Sequence, residues 1–121
     1  MEKLFCDKLA PVNSKHQHAI KANGFLFSTV CGYDLEGKVS DNIKIQTEKL
    51  MGNMIDLLAA AELTLNDLVK VTVYIVNFND IDKMNEVYYS YFSTTTPMRT
   101  CIQVNNLCDG LKVEMEIVAA L

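Results

Sequence analysis

The sequence predicts an α+β fold, a six-stranded mixed β-sheet with two helices packed on one face. Three observations carry that prediction. Apolar residues recur with a period of two in several short runs, most clearly in Val69-Lys70-Val71-Thr72-Val73-Tyr74-Ile75-Val76. The period changes to 3.6 in two stretches, around residues 43–61 and 81–92. Asn23-Gly24, set between two strand-like runs, is a two-residue hairpin signal. The resulting order is β, β, β, α, β, α, β, β. A helix between two strands permits a right-handed parallel crossover, and the hairpins supply antiparallel pairs. Two helices cover one face of such a sheet, so the other face needs company, and self-association is the economical expectation.

Taken in order, Lys3 to Cys6 reads as a short first strand, followed by a turn at Ala10-Pro11-Val12-Asn13. In Ser14-Lys15-His16-Gln17-His18-Ala19-Ile20 the two histidines share a face if the chain is extended. Histidines at i, i+2 can bind metal, but no third ligand lies nearby, so a polar strand edge is expected and no metal. After the Asn23-Gly24 turn, Phe25 to Val30 returns as a strand, and Gly32 to Gly37 is a polar loop. Thr47, Leu50, Met51, Met54, Leu58 and Ala61 form the buried stripe of the first helix, with Asp41 or Ser40 as its cap. Gly52 inside that helix costs up to about 1 kcal/mol relative to alanine, and a close approach to the sheet is the expected reason. Leu65-Asn66-Asp67 ends the helical stretch. In the strand that follows, Val69, Val71, Val73 and Ile75 should face the helices. Asn79 or Asp80 caps the second helix, which runs from about Ile81 to Phe92 with Ile81, Met84, Tyr88 and Tyr91 on one face.

Composition narrows the function. At 121 residues the chain suits one domain spanning 1–121. Half the residues are apolar and 21% are charged, an ordinary globular mixture. A net charge of −4 and a pI near 5.0 argue against nucleic acid as the main partner, because phosphate binding wants a basic face. The first residues hold no apolar signal core, and no run approaches the roughly 18 apolar residues of a membrane span. Cys6, Cys31, Cys101 and Cys108 are scattered without a CxxC pair, so zinc is not expected and reduced cytoplasmic thiols are.

The last two strands carry the candidate chemistry. Pro97 suits the first residue of a strand, after which Thr100, Ile102 and Val104 face one way and Arg99, Cys101 and Gln103 the other. In the closing strand Val113, Met115, Ile117 and Ala119 form an apolar face, with Glu114 and Glu116 opposite. If these strands are neighbours, the arginine and glutamates make either a carboxylate-binding, water-activating site or a plain cross-strand ion pair.

Several linked blocks resemble the RidA/YjgF family of small trimeric imine deaminases, over nearly the whole chain. They are Asn85-Glu86-Val87-Tyr88, Phe92, Pro97-Met98-Arg99-Thr100-Cys101 and Val113-Glu114-Met115-Glu116, with Asp67 to Tyr74 resembling the family's central strand. The resemblance implies a chorismate-mutase-like fold and a homotrimer with a pocket at each subunit interface. It implies hydrolysis of 2-imino acids such as 2-iminobutanoate and 2-iminopropanoate, tautomers of enamines like 2-aminoacrylate, to 2-keto acids and ammonia, without metal or cofactor. Arg99 matches the arginine that grips the substrate carboxylate, and Glu114 the glutamate that activates water. Around the substrate it places Tyr88, Cys101, Ser28 of the family's Ser-Gly-Gln block, Thr29 beside it, and His16.

This chain also departs from the pattern. Ser-Gly reads Ser28-Thr29, which adds a branched side chain where the family has none. The family's Gly-Pro-Tyr-Ser-Gln reads Ser14-Lys15-His16-Gln17-His18, so His16 is the nearest substitute for a pocket tyrosine. The usual Leu-Pro near the last turn is Leu107-Cys108. Two alternatives stand beside the deaminase: a non-catalytic module that binds small carboxylates or docks a partner, and, more weakly, a ribonuclease or translation inhibitor, names also attached to the family.

Overall fold

The computed structural model describes residues 1–13 and 15–121. Ser14, part of the altered His16 segment, lies outside the described residues. The strands are β1 (Glu2–Leu4), β2 (Ala19–Ala22), β3 (Phe25–Cys31), β4 (Leu68–Ile75), β5 (Met98–Gln103) and β6 (Val113–Ala120). The helices are α1 (Ile43–Ala60) and α2 (Ile81–Ser90), and the sheet order is β1-β2-β3-β6-β4-β5. All pairs are antiparallel except β4 and β5, which run parallel across the α2 crossover. The six-stranded mixed sheet with two helices stands as expected.

Local chemistry explains the β2–β3 hairpin. Asn23 and Gly24 have φ of 53° and 84°, the double left-handed geometry whose twist suits a two-residue hairpin. The stripe of α1 is buried throughout, and it meets β3 and β6 with Leu26, Val73, Val113 and Met115 completely enclosed. On β4, Val71, Val73 and Ile75 face the helices as expected, but Val69 does not. A register shift between Leu68 and Lys70 bulges the strand, turning Val69 out to solvent and burying Leu68 in its place.

Two local expectations are corrected and one is met in position only. Asn42, and neither Asp41 nor Ser40, caps α1, its side chain accepting from the Ile45 N–H. At α2, Asp80 occupies the cap position as expected but makes no side-chain bond there, and Asn77 one turn earlier accepts from the Asn79 N–H. Gly52 is not a close approach, since a Cβ there would meet nothing within 4 Å. The close approach belongs to Gly32, where a Cβ would lie 2.6 Å from the Gln46 carbonyl oxygen of α1. The face of the sheet away from the helices is uncovered in the single chain, and Phe25, Phe27, Val69, Met98 and Ile102 stand exposed.

Candidate active site

Arg99 is set by register. In a parallel pair, aligned residues point to the same side, and Arg99 aligns with Val71 and Cys101 with Val73. Both valines are fully buried beneath the helices, so Arg99 and Cys101 turn to the helix side of the sheet edge. There α2 presents two aromatic rings. The guanidinium carbon lies 4.9 Å from the Tyr88 ring centroid and 5.3 Å from that of Tyr89, and Phe92 backs Tyr88 at 4.9 Å. A guanidinium is weakly hydrated and stacks on aromatic faces, so the rings hold the arginine without neutralising it.

Among the described residues, the buried Arg99 Nη1 has no hydrogen-bond partner, and neither have the Tyr88 hydroxyl and Asn85 Oδ1 on the same helix. Buried polar atoms are normally satisfied, so three unsatisfied ones contributed by β5 and α2 point to something they are built to receive. Burial pushes the Tyr88 hydroxyl up to about 12, with the nearby Arg99 charge pulling the other way, so it stays protonated and able to donate.

Glu114 lies elsewhere. It sits between the fully buried Val113 and Met115 and therefore points to the open face, in register with Cys31 on β3 and Tyr74 on β4. The Cys31 thiol donates to Glu114 Oε1 across 3.4 Å. Burial first, and the Glu114 charge second, push that thiol far above its ordinary range. Glu116, on the same face, accepts from the Tyr74 hydroxyl, and that bond pushes the phenol up.

A hollow of about 540 Å³ collects several other candidates, with His16, Ser28, Thr29, Lys70, Thr72 and Glu116 in its wall. His16 is exposed and its Nδ1 pairs with Asn13 Oδ1 at 2.6 Å, while the Ser28 hydroxyl donates to the His18 carbonyl. His16 and His18 make no joint metal face, because both ring nitrogens of His18 are engaged. Nδ1 accepts from the Cys6 N–H and Nε2 meets the Ala10 carbonyl. Among the described residues no three His, Cys, Asp or Glu side chains gather as a metal site would require.

One copy thus brings Arg99, Cys101 and Tyr88 together, and separately His16, Ser28, Thr29 and Glu116. It does not bring Arg99 to Glu114. The two strands are not neighbours, since β4 lies between them, and their polar side chains leave opposite faces. The cross-strand ion pair is likewise not formed among the described residues, whose ion pairs are Lys21–Glu2, Lys38–Glu36 and Lys44–Glu86.

Two residues unremarked in the sequence hold this region in place. Buried Gln46 accepts from the Lys112 and Val113 N–H groups at 2.6 and 3.2 Å and donates to the Ser40 carbonyl at 2.8 Å. Buried Asn53 donates to the Cys31 and Tyr33 carbonyls at 2.9 and 2.8 Å. Their signal was available, because two amides seven residues apart flank Leu50 on the apolar stripe of α1.

These features define a small α+β protein whose sheet is open on one face and whose edge carries an unsatisfied arginine. Comparison with known proteins gives the class a name. The family described as Endoribonuclease L-PSP matches residues 7–121. A RutC family protein of Pyrococcus horikoshii is 37% identical over 98% of this chain and 96% of its own length. The chloroplastic Reactive Intermediate Deaminase A of Arabidopsis thaliana is 37% identical over 88% of this chain and 58% of its own. The crystal structure of RidA from an Antarctic Psychrobacter superposes with a TM-score of 0.93 at 28% identity, covering all of both chains. The chain belongs to the RidA/YjgF family. Among the described residues, no helix is long and apolar enough to cross a membrane.

Proposed function

We propose that this protein hydrolyses 2-imino acids to 2-keto acids and ammonia, in a site that one copy of the chain begins and a second completes within a homotrimer. The observation that carries the reading is the buried Nη1 of Arg99, without a hydrogen-bond partner among the described residues and packed against the Tyr88 and Tyr89 rings. A planar guanidinium with free donors binds a carboxylate through two parallel charge-assisted bonds, which fixes the α-carbon along with the charge. The imine carbon is already electrophilic. Glu114 takes a proton from water as its oxygen bonds to the carbon of the protonated imine and the C=N π pair moves to nitrogen, giving a carbinolamine. Glu114 then returns that proton to nitrogen, the C–N bond breaks as ammonia leaves with its electron pair, and the hydroxyl gives its proton back to Glu114 as the C=O bond forms. Atoms balance with water as the sole co-reactant, so the chemistry asks for no metal or cofactor.

Support comes from family membership and from a 37% identical relative that bears the name of a reactive intermediate deaminase. The net charge of −4 weighs against a ribonuclease reading. The test couples an amino-acid oxidase or threonine dehydratase, which releases the imine, to this protein and follows ammonia. Acceleration by the wild type, with a large loss in Arg99→Lys and an unchanged assembly, is expected, because lysine keeps the charge but not the fork. No acceleration by the wild type, together with binding of a 2-keto acid, would make the protein a carboxylate-binding module.

A further inference from the structure

Cys31 takes no part in that reaction, yet among the described residues its side chain hydrogen-bonds the proposed base. Its Sγ donates to Glu114 Oε1 across 3.4 Å, and the two residues are register partners on neighbouring strands. The contact is held from behind. Asn53 of α1 fixes the Cys31 carbonyl, and Gln46 of the same helix fixes the N–H of Val113, the residue before Glu114. Gly32 admits α1 so closely that any larger residue there would push this arrangement apart. Two buried amides and a close-approach glycine thus register one thiol against one carboxylate.

We propose that Cys31 is a positioning residue for Glu114, one that holds a carboxylate oxygen in place through a donor too weak to spend its basicity. A thiol is a poor hydrogen-bond donor and a hydroxyl a good one. A serine at this position would hold the carboxylate equally well while stabilising its charged form more, which makes a worse base. The burial that keeps the thiol protonated keeps it a donor throughout the working range. The other titratable groups facing Glu114 are Tyr74 from β4 and Glu116 from its own strand, with Cys108 and the Tyr33–Asp109 pair beside Cys31. The inference rests on the deaminase reading for its catalytic meaning but not for its physical content.

The experiment therefore has two readouts on the whole chain. The ¹³C signal of the Glu114 side-chain carboxyl is recorded by NMR at one pH in the wild type, Cys31→Ser and Cys31→Ala, and kcat and KM for ammonia release are measured beside it. Cys31→Ala, which removes the donor, should broaden or split the Glu114 signal and lower kcat about tenfold while KM stays put, because Arg99 and not Glu114 holds the substrate. Cys31→Ser should keep the signal sharp and restore most of the rate, to within roughly threefold of the wild type. A sharp signal and wild-type kcat in Cys31→Ala, or a Cys31→Ser variant no better than Cys31→Ala, overturn the proposal. A signal that broadens only in Cys31→Ala, with no turnover in the wild type, overturns the deaminase reading and leaves the positioning of Glu114 by Cys31 standing.

Discussion

Gln46→Ala is the perturbation whose effect follows most directly from the geometry. The side chain is completely buried, and its amide satisfies three backbone groups: the Lys112 and Val113 N–H and the Ser40 carbonyl. Each buried polar group left without a partner costs about 1–3 kcal/mol. With entering water repairing part of the damage, the total is still about 3 kcal/mol, a large share of the roughly 5–15 kcal/mol that stabilises a chain of this size. At an m-value of about 1–3 kcal/mol per molar urea, the unfolding midpoint should fall by roughly 1–3 M. The same substitution loosens the start of β6, which carries Glu114, so ammonia release should fall even where the protein remains folded. Gln46→Glu is the stringent companion, since it keeps the acceptor but replaces the donor and buries a charge, and it should destabilise at least as much. A midpoint loss worth less than about 1 kcal/mol in Gln46→Ala would mean that the three bonds are dispensable, and the account of how α1 positions the site would be wrong.

Two further outcomes follow from other positions. Gly52→Ala should stabilise by about 0.5–1 kcal/mol because a methyl there meets open space and helix propensity improves. Gly32→Ala should destabilise because the methyl runs into Gln46 backbone at 2.6 Å, and equal urea midpoints for the two variants would contradict the assignment of close approach. Alkaline stability should also fall in a defined window. The folded-state values of Cys31 and Tyr88 are raised from the ordinary 9.0 and 10.0, so their contribution is complete below about pH 9 and lost as pH rises toward 12. Tyr88→Phe should flatten the decline above pH 10 in thermal melts, and an unaltered slope would count against burial as the cause.

Much of the fold was legible because it rests on local rules. The periods of α1 and β4, the Asn23-Gly24 turn and the alternation within β5 and β6 each depend on a few neighbouring residues, and each survives in the structure. What escaped depends on partners far along the chain. The bulge that expels Val69 arises from pairing with β6, and the glycine that matters is decided by where Gln46 lands, 14 positions downstream of Gly32. The site failed to read cleanly for the same reason. Alternation correctly placed Arg99 on one side of its strand and Glu114 on one side of another. It could not reveal that β4 would intervene, or that the two sides would be opposite faces of the same sheet.

That opposition gives the proposed function its sharpest test. Within one chain a carboxylate held by Arg99 lies at the helix side of the β5 edge, while Glu114 faces the uncovered side where Phe25, Phe27, Met98 and Ile102 stand exposed. If water is activated by Glu114 on a substrate gripped by Arg99, the two must come from different copies, joined head to tail around a closed ring. Complementation then becomes arithmetic. Arg99→Lys and Glu114→Gln should each be nearly inactive alone. Unfolded together at equal concentration and refolded, they should assemble mixed trimers in which about one interface in four pairs an intact arginine with an intact glutamate. Ammonia release should recover to about a quarter of the wild-type rate. A Glu116→Gln partner in place of Glu114→Gln serves as the control, because it should be active before mixing if Glu114 is the base. If the two inactive variants stay inactive together while native mass spectrometry of one isotope-labelled and one unlabelled variant shows mixed trimers, Arg99 and Glu114 do not act across an interface. One of them would then have to leave the mechanism.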